Sequence, residues 1–148
     1  MILSSGRYGW DDVRVGDWLV TERREVTAAT IDAFADLSGD HFAIHMDDAA
    51  ARDLGFSGRV AHGLLVLSMV DGLKNAAPAQ FRAVASLGWT WSFCQPVHIG
   101  DRIGARIDVV GKRKVRTPGR GILQLGFKVT RAGGETVQTG ENLLMVLR

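Results

Sequence analysis

The chain has 148 residues, 46% of them hydrophobic and 23% charged, which is the make-up of one ordinary globular domain with room for a real core. Its 18 basic and 16 acidic residues leave a formal charge of +2, a slight leaning toward anionic ligands and far from the basic footprint of a nucleic-acid binder. No apolar run is long enough to span a bilayer, since Leu64–Val70 is stopped by Asp71, and a single cysteine permits no internal disulfide. The opening MILSSGRYGWDD lacks a charged start followed by an apolar segment, so no secretory signal is expected and a cytoplasmic location is.

In chain order, Met1–Asp12 reads as an irregular lead-in, with Tyr8 and Trp10 packing down on the domain. Asp17–Val26 alternates and predicts a strand with an apolar start and a charged end. Thr27 is a good N-cap for a helix carrying Ile31, Phe34, Ala35 and Leu37 at helical spacing, and Gly39 is placed to end it in a left-handed turn. A polar loop holding Asp40 and His45 follows. Asp47 then caps a short helix through Asp53, which Gly55 closes.

Val60–Lys74 is different in kind: Leu64, Leu65, Val66, Leu67, Met69, Val70 and Leu73 leave almost no polar face, so this helix is expected to be buried nearly all round. In so short a chain that requires a sheet wrapped around it, and the remaining sequence offers one. Asn75–Gln80 reads as a loop. Strands are expected at Ala83–Phe93, Arg102–Lys114, Ile122–Thr130 and Thr136–Leu147, joined by Pro- and Gly-marked turns. Short connections mean antiparallel pairing, here a meander. There is no repeat and no linker, so residues 1–148 are expected to form a single domain.

The residues able to carry chemistry cluster before and at the start of the apolar helix. The motifs are Phe34-Ala35-Asp36-Leu37-Ser38-Gly39-Asp40, then Ile44-His45-Met46-Asp47, then Val60-Ala61-His62-Gly63. Together with Pro96-Val97-His98-Ile99-Gly100-Asp101 and Gly133-Gly134-Glu135-Thr136-Val137, they resemble the MaoC-like, (R)-specific enoyl-CoA hydratase family over nearly the whole chain.

The resemblance implies the hotdog fold, an α+β domain in which an antiparallel sheet of about five strands wraps around a long buried central helix. It implies interconversion of trans-2-enoyl and (R)-3-hydroxyacyl thioesters. Asp40 and His45 would be the catalytic pair that holds a water, removes its proton and returns one to the substrate. Hydrating a conjugated thioester needs both a base for water and an acid for carbon, each poised near neutrality, and an imidazole is close to that already. Gly63 matches the oxyanion glycine, whose amide at a helix start meets the charge that builds on the thioester oxygen.

Phe42, His62 and Asp71 are the expected substrate contacts. Phe42-Ala43 stands where the family usually has Asn-Pro, so Phe42 either fills the same volume or reaches into the acyl pocket. His62 is structural or lines the substrate. Asp71 either caps the pocket or simply ends the apolar helix. No metal or redox cofactor is implied, since coenzyme A or acyl carrier protein belongs to the substrate. The partners are a small acyl thioester and a second copy in a homodimer or larger homo-oligomer, with neither nucleic acid nor membrane.

An Asp and a His in one loop are commonly turn polarity. His41 and His45, four apart, would face one metal only in a helical loop, which Gly39 argues against. Cys94 is expected to be a buried small hydrophobe. Lys112, Arg113, Lys114 and Arg116 could meet coenzyme A phosphates or form a solvated hairpin face. A thioesterase on the same fold would want an acid in the first turns of the central helix, where Gly63–Met69 has none. A non-catalytic acyl-thioester-binding subunit of a hetero-oligomer would have no need to keep Asp40, His45 and Gly63 together.

Overall fold

A computed structural model describes all residues, Met1–Arg148. The elements run β1 (Gly6–Tyr8), β2 (Trp18–Val20), β3 (Arg24–Glu25), α1 (Ala28–Ser38), α2 (Ala43–Met46), α3 (Asp48–Asp53), α4 (Gly63–Ala76), β4 (Ala79–Phe81), β5 (Ala83–Phe93), β6 (Arg102–Lys114), β7 (Arg120–Arg131) and β8 (Thr136–Leu147). A six-stranded antiparallel sheet in the order β2-β6-β7-β8-β5, with β3 also on β6, curls around α4 as the hotdog fold requires. No helix is long and apolar enough to cross a membrane.

The core is built from two periodicities meeting. On β6 the alternating Ile103, Ala105, Ile107 and Val109 point inward, as do Leu123, Leu125, Phe127 and Val129 on β7. They close on Leu65, Val66, Met69 and Val70 of α4 in one cluster of 24 buried residues. The helix is therefore buried on a stripe rather than all round. Leu64 is 59% exposed, and Ser68 and Gly72, one and two turns on, continue the open face.

Several local expectations change for tertiary reasons. The lead-in contains β1, which runs parallel to β4; three residues carry no periodicity, and their pairing exists only because the chain returns after α4. The strand expected over Asp17–Val26 is broken in two. The Thr21 amide donates to the Ala105 carbonyl, but the Ala105 amide is taken by Thr21 Oγ1 instead of its carbonyl, so the chain steps aside before β3 resumes. The central helix starts at Gly63, later than Val60, because Val60 and Ala61 are extended: Val60 bridges His98, and the Ala61 amide donates to the Val97 carbonyl. It runs on to Ala76, and this extension together with β4 replaces most of the loop expected over Asn75–Gln80.

The meander holds for β6-β7-β8, but β5 pairs with β8 instead of β6. Asn142, fully buried on β8, donates to the Ser86 Oγ and the Gly88 carbonyl at the place where the β5–β8 register slips. The far side of β5 has no partner strand, so its eleven residues form a long open edge.

Candidate active site

α1 ends as its sequence dictates. Thr27 accepts from the Thr30 amide at the start, and Gly39 adopts φ 78 at the end, a conformation that glycine takes without penalty. Asp40 therefore projects just beyond the helix, with its amide donating to Ser38 Oγ. Its Oδ1 accepts the Phe42 amide at 3.2 Å, an Asx-type turn that leaves Oδ2 free. His45 follows on α2, a four-residue helix that replaces the expected loop.

His45 is held from three directions. Its Nδ1 lies 2.6 Å from the Val60 carbonyl, its own carbonyl accepts from Arg59 Nε at 2.6 Å, and the Ile44 carbonyl accepts the Val60 amide. Arg59 in turn pairs with Asp32, so one guanidinium ties α1 to the segment that bears the imidazole. A carbonyl can only accept, so Nδ1 carries the hydrogen and neutral His45 presents the Nε2 lone pair. That Nε2 lies 3.9 Å from Asp40 Oδ2, too long for a direct hydrogen bond and suited to one bridging water.

His62 joins the pair. It is 2% exposed, stacks on His45 with ring centroids 3.8 Å apart, and donates from Nε2 to the Asp40 carbonyl at 2.9 Å. Phe34 also packs against the His62 ring, with centroids 4.9 Å apart and the planes tilted by 60°. Asp40, His45 and His62 offer ligand atoms within 4.8 Å of one another, the one such trio in the chain. His41 is not part of it. Its ring turns outward to Asp36 at 3.0 Å, and that hydrogen bond raises its pKa above the ordinary 6.5.

A cavity of about 350 Å³ opens beside His45. Ile44, Val60, Ala61, Val66, Phe93 and Val97 supply apolar wall, and Gly63 and Gln138 lie among the polar positions. As first residue of α4, Gly63 contributes one of the amides that a helix leaves without an internal acceptor. A Cβ at this position would lie 2.6 Å from the Phe93 ring, so glycine is what lets ring and helix start approach. A larger hollow of about 670 Å³ lies over the sheet around Asp108, Phe127 and Gly140; it contains no histidine and lies apart from this cluster.

Of the expected site residues His45 and Gly63 line this cavity, whereas Asp40, Phe42, His62 and Asp71 lie off its wall. Phe42 is 58% exposed and meets His45 edge-on with centroids 6.1 Å apart. Asp71 lies two turns beyond Gly63 and pairs with the buried Lys74 at 2.7 Å. Cys94, expected to be buried, is exposed and lines the cavity, because β5 ends just before it. The basic hairpin is remote: Arg113 pairs with Ile122, whereas the cavity residue Gln138 pairs with Val129, roughly 23 Å further along β7. Lys112 there donates to the Val13 carbonyl and lies over the Trp10 ring. Sequence reasoning missed Arg59 and Gln138, since neither belongs to the motif; an arginine just before Val-Ala-His-Gly was the one available hint.

A family model described as "MaoC like domain" matches residues 13–129, most of the chain. The chain belongs to the MaoC-like family. Protein MaoC of Klebsiella aerogenes is 40% identical over 99 residues, 66% of this chain and 29% of that protein. The (R)-specific enoyl-CoA hydratase of Aeromonas caviae is 32% identical over 114 residues, 77% of this chain and 81% of that one. The chain thus spans less than a third of the Klebsiella protein and most of the Aeromonas enzyme. Among solved structures, the MaoC-like dehydratase from Rhodospirillum rubrum superposes with a TM-score of 0.85 at 26% identity, covering 95% of this chain and 97% of that one. Relatives of this MaoC-like chain are thus named hydratases and dehydratases.

Proposed function

We propose that this chain reversibly adds water to a trans-2-enoyl thioester to give the (R)-3-hydroxyacyl thioester, the carrier being coenzyme A or acyl carrier protein. The observation that carries the reading is the 3.9 Å gap between Asp40 Oδ2 and His45 Nε2, beside an apolar cavity that also reaches the Gly63 helix start. Water held by both groups loses a proton to the pair as its oxygen adds to C3. The double-bond electrons move toward the thioester oxygen, which the Gly63 amide receives, and the pair returns a proton to C2. Water is thereby added across the double bond with no net change in the enzyme, and the assigned reaction calls on no metal or redox cofactor. The Aeromonas relative's name supports both the reaction and its stereochemistry.

The test is loss of the enoyl-thioester absorbance of crotonyl-CoA and of a longer enoyl-CoA on addition of the protein. Turnover of either supports the proposal. Release of free thiol from saturated acyl-CoA without enoyl turnover replaces it with thioesterase action. The lack of any acid on the cavity side of α4 argues against that outcome, because Asp71, the first carboxylate of that helix, is engaged by Lys74.

Assembly is part of the same proposal. The open β5 edge carries Val84, Leu87 and Phe93 at 42, 48 and 58% exposure, an apolar strand suited to pairing with a second copy of itself. Light scattering is expected to give about twice the 16.1 kDa chain mass or more for the wild type. Val84→Lys combined with Leu87→Lys is expected to shift it toward the monomer, and an unchanged mass removes β5 as the contact.

A further inference from the structure

Gln138 is a glutamine 2% exposed in the wall of the cavity, on β8 and 75 residues beyond the glycine it touches. Burying an amide is costly unless both its ends are bonded, and here both are. Trp91 Nε1 donates to Gln138 Oε1 at 2.8 Å, and Gln138 Nε2 donates to the Gly63 carbonyl at 3.1 Å. The first contact has a partner that can only donate, the second a partner that can only accept. The amide therefore has one orientation, and it cannot flip without losing both bonds.

The consequence falls on the helix start. Gly63 lacks a side chain to anchor it, and His62 before it is extended with φ −55 and ψ 133, with no side-chain cap on the helix. An uncapped first turn opening on glycine is prone to fray. Gln138 is not a cap, which would accept from a first-turn amide; by donating to the Gly63 carbonyl it instead ties the first residue of the helix, which lines the cavity, to the sheet. Trp91 in turn packs against Phe127, with centroids 5.5 Å apart, and so refers the whole chain of contacts to the core.

We infer that Gln138, anchored by Trp91, is a positioning residue: by fixing the Gly63 carbonyl it holds that glycine, and with it the start of α4 and the amide it carries, in place at the head of the cavity. This rests on the hydratase reading for its kinetic consequence, though not for its structural one. Gln138→Met keeps the side-chain volume and removes both hydrogen bonds, whereas Trp91→Phe removes only the anchoring donor and guards against a Gln138→Met variant that fails to fold.

Two measurements decide it. In hydrogen–deuterium exchange, the Val66 amide, which bonds to the His62 carbonyl in the first turn, is expected to exchange about tenfold faster in Gln138→Met, with β6 and β7 amides unchanged. On crotonyl-CoA, kcat is expected to fall roughly tenfold with KM nearly constant, since an interaction realised in the transition state has been misaligned. Trp91→Phe should show the same effect in smaller degree, and the double variant should be no slower than Gln138→Met alone, as coupled residues behave. Unchanged exchange at Val66, unchanged kcat, or strictly additive effects each overturn the inference. If the wild type leaves every enoyl thioester untouched, the hydratase reading fails while the exchange experiment still decides the role of Gln138.

Discussion

Asp40→Asn is expected to lower enoyl-thioester hydration by about 100- to 10,000-fold with little change in melting temperature. The carboxylate is half exposed, and its one protein hydrogen bond through Oδ1, to the Phe42 amide, survives in the asparagine carbonyl. What disappears is the negative oxygen facing His45 across the 3.9 Å gap, so a bridging water loses a proton acceptor while the turn remains. His45→Ala is expected to lose as much activity but also stability. It strips the Val60 carbonyl of its buried partner and empties the space between Phe42 and His62. Asp40→Asn is thus the cleaner variant, and near wild-type rates in it, measured by the absorbance assay, would remove Asp40 from the acid–base assignment.

The second large effect is expected at Gly63, where proline offers an unusual separation of shape from hydrogen bonding. Proline is tolerated at the first position of a helix, where its missing amide hydrogen has no internal acceptor in any case. The preceding His62, at φ −55 and ψ 133, already has the extended conformation that proline imposes on its neighbour. The obstacle is Phe93, whose ring lies 2.6 Å from where a Cβ would stand. In a Phe93→Ala background that obstacle is gone, and Gly63→Ala can be compared with Gly63→Pro. The alanine variant keeps the amide and is expected to retain most of the background rate. The proline variant loses the donor and is expected to fall by a further 100-fold or more. Equal rates for the two would show that the Gly63 amide does not serve the developing oxyanion.

The parts of the site that were legible in the sequence are those set by short-range chemistry. Thr27 and Gly39 bound α1 because a hydroxyl can satisfy a first-turn amide and a glycine can take a left-handed turn, whatever lies around them. Asp47 caps α3 on the same grounds. The strands β5, β6 and β8 fall where alternation and turn residues put them. The motif Asp40, His45 and Gly63 was visible as a pattern, and its surroundings as a pattern were not. Nothing local says that His41 turns out to Asp36 while His62, seventeen residues past His45, stacks on it.

By itself, then, the sequence determined the elements that depend on neighbours a few residues apart, the apolar helix that needs a sheet around it, and the family to which the motif belongs. The tertiary structure alone decided which strand β5 joins, which stripe of α4 remains open, and how β1 finds β4. It alone decided that Arg59 holds the His45 carbonyl and that Gln138 reaches Gly63 across 75 residues. The reason is physical. Caps, turns and periodicity act over one or two turns of chain, whereas the direction of a buried donor is set by whatever partner the folded chain brings to it.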